Sequence, residues 1–250
     1  MRRPDESRVV RSNSTSSAAP LRISLLGRFD LVDGAGASIP LANGTQRLLS
    51  LLALRDRIVH RASVAGALWP DVSESRAHAS LRSALLRVPN AARSVVAVSD
   101  AELALAEGVA IDVRDGQALA HRLLDDTATP PESDVSRSAI SLLSSDLLPG
   151  WNDEWVTADA EGWRQLRLHA LEALTDRLVG QMRFGDAMTA AMAAVKAEPL
   201  RESAHAALIR VHLAESNQSE ALRQFERYQQ LLRSELGIEP TPRLRELIDM

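Results

Sequence analysis

Two stretches in the C-terminal half of this 250-residue chain echo each other at a spacing of 34 residues, and few folds tolerate such an echo. Ala187, Ala191, Ala194 and Pro199 stand at relative positions 0, 4, 7 and 12; Ala221, Phe225 and Tyr228 occupy the first three of those positions one period on. The helices before them correspond too, since Leu174 and Leu178 match Leu208 and His212 at the same offset. Steps of four and three put such residues on one face of a helix. Alanine on that face lets a second helix approach closely. One helix pair cannot bury its apolar faces alone, so the pairs must stack. Gly185-Asp186 and Asn217-Gln218 are predicted as the turns within the pairs, and helices over residues 135–147 and from 241 onward as the caps of the stack.

A period of this length with small residues at the helix crossings is the mark of tetratricopeptide-like repeats. The N-terminal pattern is different. Residues 21–41 carry the strand-like runs LRISLLGRFDLV and SIPL around a turn at Asp33-Gly34-Ala35-Gly36. A leucine-rich helix is expected over residues 45–57. Ser63 is placed to cap a second, short helix that stops at Pro70, and Ser73 or Ser75 a third that runs to about Val88 before Pro89. Two strand-like stretches follow, residues 94–98 and 102–106, with a short polar turn between them. Small sheet, three helices and hairpin, in that order, make a winged helix with its N-terminal sheet packed behind. A helix over 113–124 and a flexible connection over 125–134, with Pro130-Pro131, lead into the repeats. The fold class is mainly α with a small β portion.

On the third helix, Leu81, Leu85 and Val88 fall within about 60° of one another and face the core. Arg76, Ala79, Ser83 and Leu86 lie opposite, flanked by Ser80, Arg82 and Arg87. Small residues beside arginines suit a helix seated in a major groove, where bulk blocks entry. An ordinary solvated face carries the same pattern.

The net charge of −4 argues against a polyanion partner until the chain is divided. Residues 21–95 hold ten arginines and five acids, a surplus of +5; residues 116–250 hold 14 basic residues against 21 acids, a balance of −7. The basic module is the winged helix. Cysteine is absent, which excludes disulfides, thiolate zinc sites and cysteine nucleophiles and fits a reducing cytoplasm. No apolar run reaches the roughly 18 residues of a membrane span. Residues 1–20 are rich in Arg, Ser and Pro with no apolar core, so a disordered tail is expected there and not a secretory signal. G-x-x-x-x-G-K-[ST], G-x-S-x-G and H-E-x-x-H are all missing, and the six histidines are scattered. The expectation is a protein without catalysis, cofactor or metal.

The motifs also carry a resemblance. DLLPGWNDEWVTADAEGWRQLRLHALEALTDRL, residues 146–178, resembles the start of the bacterial transcriptional activator domain of the Streptomyces antibiotic regulatory proteins, and ELGIEPTPRLREL, residues 235–247, resembles its end. TQRLLSLLALRDRIVHRASVAGALWPD, residues 45–71, resembles the winged helix of that family, also seen in response-regulator output domains; SLRSALLR, residues 80–87, sits where the recognition helix belongs. The resemblance covers about residues 21–250. It implies a tail over 1–20, a winged-helix DNA-binding domain over 21–112 and an activator domain over 113–250.

It further implies an activator that binds direct repeats in double-stranded DNA near a promoter and recruits RNA polymerase. By position, Arg82, Ser83 and Arg87 would face the major groove, with Arg76 and Ser80 near the helix start. Gln46, Arg47, Arg61 and Ser63 would contact phosphates. Two features depart from the family pattern. Val88-Pro89-Asn90 ends the third helix early, and the wing turn Ser99-Asp100-Ala101-Glu102 is acidic where a minor-groove arginine would help. These departures keep open a protein-interaction module with a degenerate winged helix, whose repeats hold a protein partner or a second copy.

Overall fold

The computed structural model describes residues 21–125, 127 and 129–249, so the expected tail over 1–20 lies outside the described residues. The N-terminal part runs β1 (Arg22–Ser24), β2 (Asp30–Val32), α1 (Asn43–Arg55), β3 (Val59–His60), α2 (Arg61–Leu68) and α3 (Glu74–Leu86). Then come β4 (Val96–Val98), β5 (Glu102–Leu105) and β6 (Ala110–Ile111). The rest is helical: α4 (Asp112–Leu124), α5 (Arg137–Leu143), α6 (Glu154–Gly180) and α7 (Phe184–Ala197), followed by α8 (Glu202–Ala214), α9 (Gln218–Leu236) and α10 (Pro242–Asp249).

Two small sheets frame the first three helices. In one, ordered β2-β1-β6, Ile23 lies opposite Leu31 on an antiparallel neighbour and opposite Ile111 on a parallel one. All three side chains are buried, which fixes the register, because a slip of one residue would turn them outward. In the other, ordered β3-β5-β4, the hairpin β4–β5 forms the wing and β3 pairs Val59 with Leu103. Leu48, Leu49, Ser50, Leu51, Leu52 and Ala53 are all buried, which covers α1 around most of its circumference. A helix apolar on so many sides needs cover on each. α2, α3, β5 and the long α6 supply it.

The elements differ from the sequence expectation at their ends. α2 starts at Arg61 with His60 in the capping position, so Ser63 sits inside its first turn and caps nothing. Residues 90–95 wind as a 3-10 helix before β4, shortening the expected strand. The helix expected over 135–147 is a 3-10 turn, Glu132–Val135, followed by the shorter α5, whose cap is Ser136 accepting the Ala139 N–H at 3.2 Å. Asp134 is buried and receives Arg122 at 2.7 and 3.0 Å, which anchors the second half of the segment read as flexible.

The repeat is plain in the backbone. Met182 (φ 57) and Ser216 (φ 61) are left-handed residues one 34-residue period apart, each just after a helix. Arg183 N–H bonds Leu178 C=O at 2.9 Å and Asn217 N–H bonds His212 C=O at 2.8 Å, the same helix-closing contact in both pairs. The first turn therefore precedes Gly185, which lies inside α7. Ala187, Ala191, Ala194 and Ala221 are fully buried where the helices cross. Leu244 on α10 closes the far end against Ile209, Tyr228 and Leu232.

Backbone and side chains weld the two parts together. Asp112, at the start of α4, is buried and accepts the N–H groups of Leu25 (2.8 Å) and Leu26 (3.1 Å). Burial is the larger influence and raises its carboxyl above the ordinary range, opposed by those backbone donors. Gly27 N–H reaches Asp146 C=O (2.7 Å) and Leu148 N–H reaches Leu25 C=O (2.8 Å), so residues 146–148 run beside the end of β1. Arg167, 2% exposed, pairs with Asp146 and donates to the Ser144 carbonyl at 3.2 Å. Trp151 stacks on Phe29 (6.4 Å) and meets Trp155 edge-on (6.3 Å), covering the seam.

Candidate nucleic-acid interface

α3 is held by a narrow apolar stripe. Ala77, Leu81 and Ala84 are buried, with Val88 just beyond the helix end. Thr45 on α1 donates its hydroxyl to the Ala84 carbonyl at 3.0 Å, pinning the helix from behind. Everything opposite the stripe faces solvent: Arg76, Ala79, Arg82, Ser83, Leu86 and Arg87 are exposed, and Ser80 is half-buried at the margin. Ser83 Oγ donates to the Ala79 carbonyl at 3.0 Å, folding its hydroxyl onto the helix.

Among the described residues, no carboxylate lies within ion-pair distance of Arg76, Arg82 or Arg87. The acids nearest in sequence, Glu74 and Asp71, do not neutralise them; Glu74 meets His78 at 3.7 Å. Beside the face, an open depression of about 370 Å³ runs between the start of α1 and α3, lined by Gly44, Thr45, Trp69, Ser80, Ser83 and Arg87. The first turn of α1 has no acid and no side-chain cap, so its positive dipole end is unopposed at that depression.

The remaining sequence-predicted residues are placed differently from one another. Gln46 spends its amide on the Leu41 carbonyl at 2.9 Å. Arg61 is tied to the wing: its backbone N–H bonds the Ala101 carbonyl (2.9 Å) and its guanidinium the Ser99 carbonyl (3.2 Å). Ser63 is exposed in the first turn of α2. Arg47 is set apart from the α3 face and pairs with Asp153 at the start of α6. The structure thus brings Arg76, Ser80, Arg82, Ser83 and Arg87 onto one surface.

Two contacts at the seam were not found in the sequence. Arg55 pairs with Asp159 at 3.1 Å, and Arg114 with Asp56 at 2.7 Å. Neither pair has a local signal, because the partners are far apart in the chain. Asp153 occupies the N-cap position of α6 but makes no capping bond, its carboxylate being taken by Arg47.

A winged helix with a bare arginine face, carried on stacked helix pairs, is the class of protein that this architecture defines. Residues 111–250 match the model of the bacterial transcriptional activator domain, and the chain belongs to that family, the SARP-type transcriptional regulators. The regulatory protein AfsR of Streptomyces coelicolor is 30% identical over 223 residues, covering 85% of this chain but 22% of AfsR. The chain therefore spans about a fifth of that relative. Among solved structures, Mycobacterium tuberculosis EmbR in complex with a low-affinity phosphopeptide is similar in fold, with a TM-score of 0.68 and 22% identity. That match covers 92% of this chain and 64% of EmbR. Among the described residues, no helix is long and apolar enough to cross a membrane.

Proposed function

We propose that this chain is a sequence-specific binder of double-stranded DNA that activates transcription from direct repeats near a promoter by recruiting RNA polymerase. The observation that carries the reading is the outward face of α3, where three arginines have no acid partner among the described residues and small residues leave room for base edges. In this reading residues 21–112 hold the duplex, residues 113–250 form the activator domain, and Arg82, Ser83 and Arg87 enter the major groove. Arg76 and Ser80 stand at the entry to the helix, and the uncapped start of α1 and Ser63 flank it on the phosphate side.

Selection of the full chain against random-sequence duplexes at low salt tests this. Enrichment of one motif in two tandem copies supports it. Failure to enrich any sequence overturns it.

A second reading has one observation in its favour. The wing tip bears exposed Asp100, and the arginine next to it, Arg61, is turned onto wing backbone and away from solvent phosphate. In that reading the repeats hold a protein and DNA is not the ligand; the structural neighbour EmbR is itself in complex with a phosphopeptide. Stable capture of a partner by a chain that enriches no duplex would favour it.

A further inference from the structure

Leu86 is 77% exposed, as much as any large apolar side chain in the described residues. The core does not explain it. At about 100° per residue it projects within roughly 20° of Ala79 and lies between Arg82 on one side and Ser83 on the other. The buried stripe of Ala77, Leu81 and Ala84 is on the far side of the helix. Leu86 is the one large apolar side chain in the outward arc of α3, and the others there are charged, small or hydroxylic. That surrounding does not make a protein-docking patch, which needs contiguous apolar area. It does match a groove floor in which one apolar group stands among donors and acceptors.

We infer that Leu86 reads the C5-methyl group of a thymine and is a specificity-determining residue of the interface. The inference rests on the DNA-binding reading above. In the major groove the thymine methyl is the only apolar feature a base pair offers, and an aliphatic side chain recognises it by burying it. Arg82 beside it, with Arg76 and Arg87 farther round the same outward arc, supplies the charge complementarity that brings the duplex onto this face. Leu86 is the last residue of α3, just before the turn at Arg87 and Val88.

The test uses the full chain and the duplex enriched by selection, with each thymine replaced in turn by deoxyuridine, which removes the methyl and nothing else. For the unmodified chain, one or two replacements should weaken binding about fourfold, the value of one buried methyl. Leu86→Ala should weaken binding to the thymine duplex by a similar factor and be indifferent to those same replacements. Unchanged thermal unfolding is expected for the variant, since the side chain is exposed. Equal sensitivity to deoxyuridine in both proteins, or none in either, with specific binding intact, would overturn the role of Leu86 alone. Failure to enrich any duplex would overturn the DNA-binding reading and this inference with it.

Discussion

Arg47, near the start of α1, is ion-paired to Asp153, just ahead of α6, across 106 positions of sequence. Six residues further on, inside α6, Asp159 takes Arg55 from the other end of α1 at 3.1 Å. Two arginines of the first helix are thus clasped by two aspartates of the long helix, and each of the four side chains is about a quarter to a third exposed. Half-buried pairs of this kind hold position more than they add stability. The clasp sets the winged helix against the repeats without touching the α3 face.

Removing one partner leaves the other charge poorly solvated. Arg47 Nε is already buried without a hydrogen-bond partner. Asp153→Ala should therefore cost about 1–2 kcal/mol, a fall in Tm of about 2–8 °C for a chain of this size. Arg47→Ala should cost no more than Asp153→Ala, and the double variant no more than either, which thermal unfolding of the three proteins measures. Neither change should alter the salt dependence of duplex binding. A salt slope reduced by about one unit in Arg47→Ala, at unchanged stability, would place Arg47 on a phosphate.

Gly116 on α4 lies under the ring of Trp163 on α6. A Cβ built there would stand 2.6 Å from one ring carbon, closer than real contacts allow, and a tight 3.2 Å from another. Glycine in a helix interior is unfavourable by itself, so the close approach of the two helices is what the position accommodates. The indole cannot retreat freely, because its Nε1 donates to the Ser145 carbonyl at 2.9 Å. Gly116→Ala should destabilise the chain by about 1–3 kcal/mol despite its better helix propensity, read as a lowered denaturation midpoint in urea. A stabilised variant would contradict the packing described.

His205 is 4% exposed, stacked on Tyr228 at 4.1 Å, with Nε2 donating to the Pro199 carbonyl (2.9 Å) and Nδ1 accepting from Gln224 (2.7 Å). Both ring nitrogens are satisfied only when the ring is neutral. Burial, the largest influence, holds its pKa below 6.5, against the Pro199 carbonyl and the charge of Glu202. The unfolded chain takes up this proton near pH 6.5 while the folded chain resists it to lower pH. Below about 6.5 the unfolded state thus binds more protons, and the stability present above that pH is progressively lost. Tm should fall between pH 7 and 5, and less steeply in His205→Gln. Parallel profiles for the two proteins would rule out this histidine as the source.

Much of the fold is written in local periodicity. The 34-residue alanines gave the helix pairs, and the leucine run over 48–54 gave a helix covered on several sides. The outward arc of α3 also follows from spacing, since Leu81 and Val88 must go inward. What escaped was set by contacts distant in sequence or by backbone choices that side chains do not announce. Arg47 has the composition of a phosphate contact, and its pairing with Asp153 is visible only once α6 is folded against α1. Met182 and Ser216 take left-handed turns that glycine would normally signal, which is why Gly185 drew the first turn downstream. Asp134 looked like part of a loose linker because its anchor, Arg122, belongs to the preceding helix.

The arginine face of α3 is tested most directly by the affinity of Arg82→Ala for its selected duplex and for a scrambled one, across a salt series. For the full chain, log affinity should fall by about 0.9 for each log unit of salt per phosphate contact. Arg82→Ala should lose about ten- to a hundredfold on the selected duplex and much less on the scrambled one. Equal affinities for the variant and the unaltered chain on both duplexes, at every salt concentration, would contradict the assignment of that face to DNA.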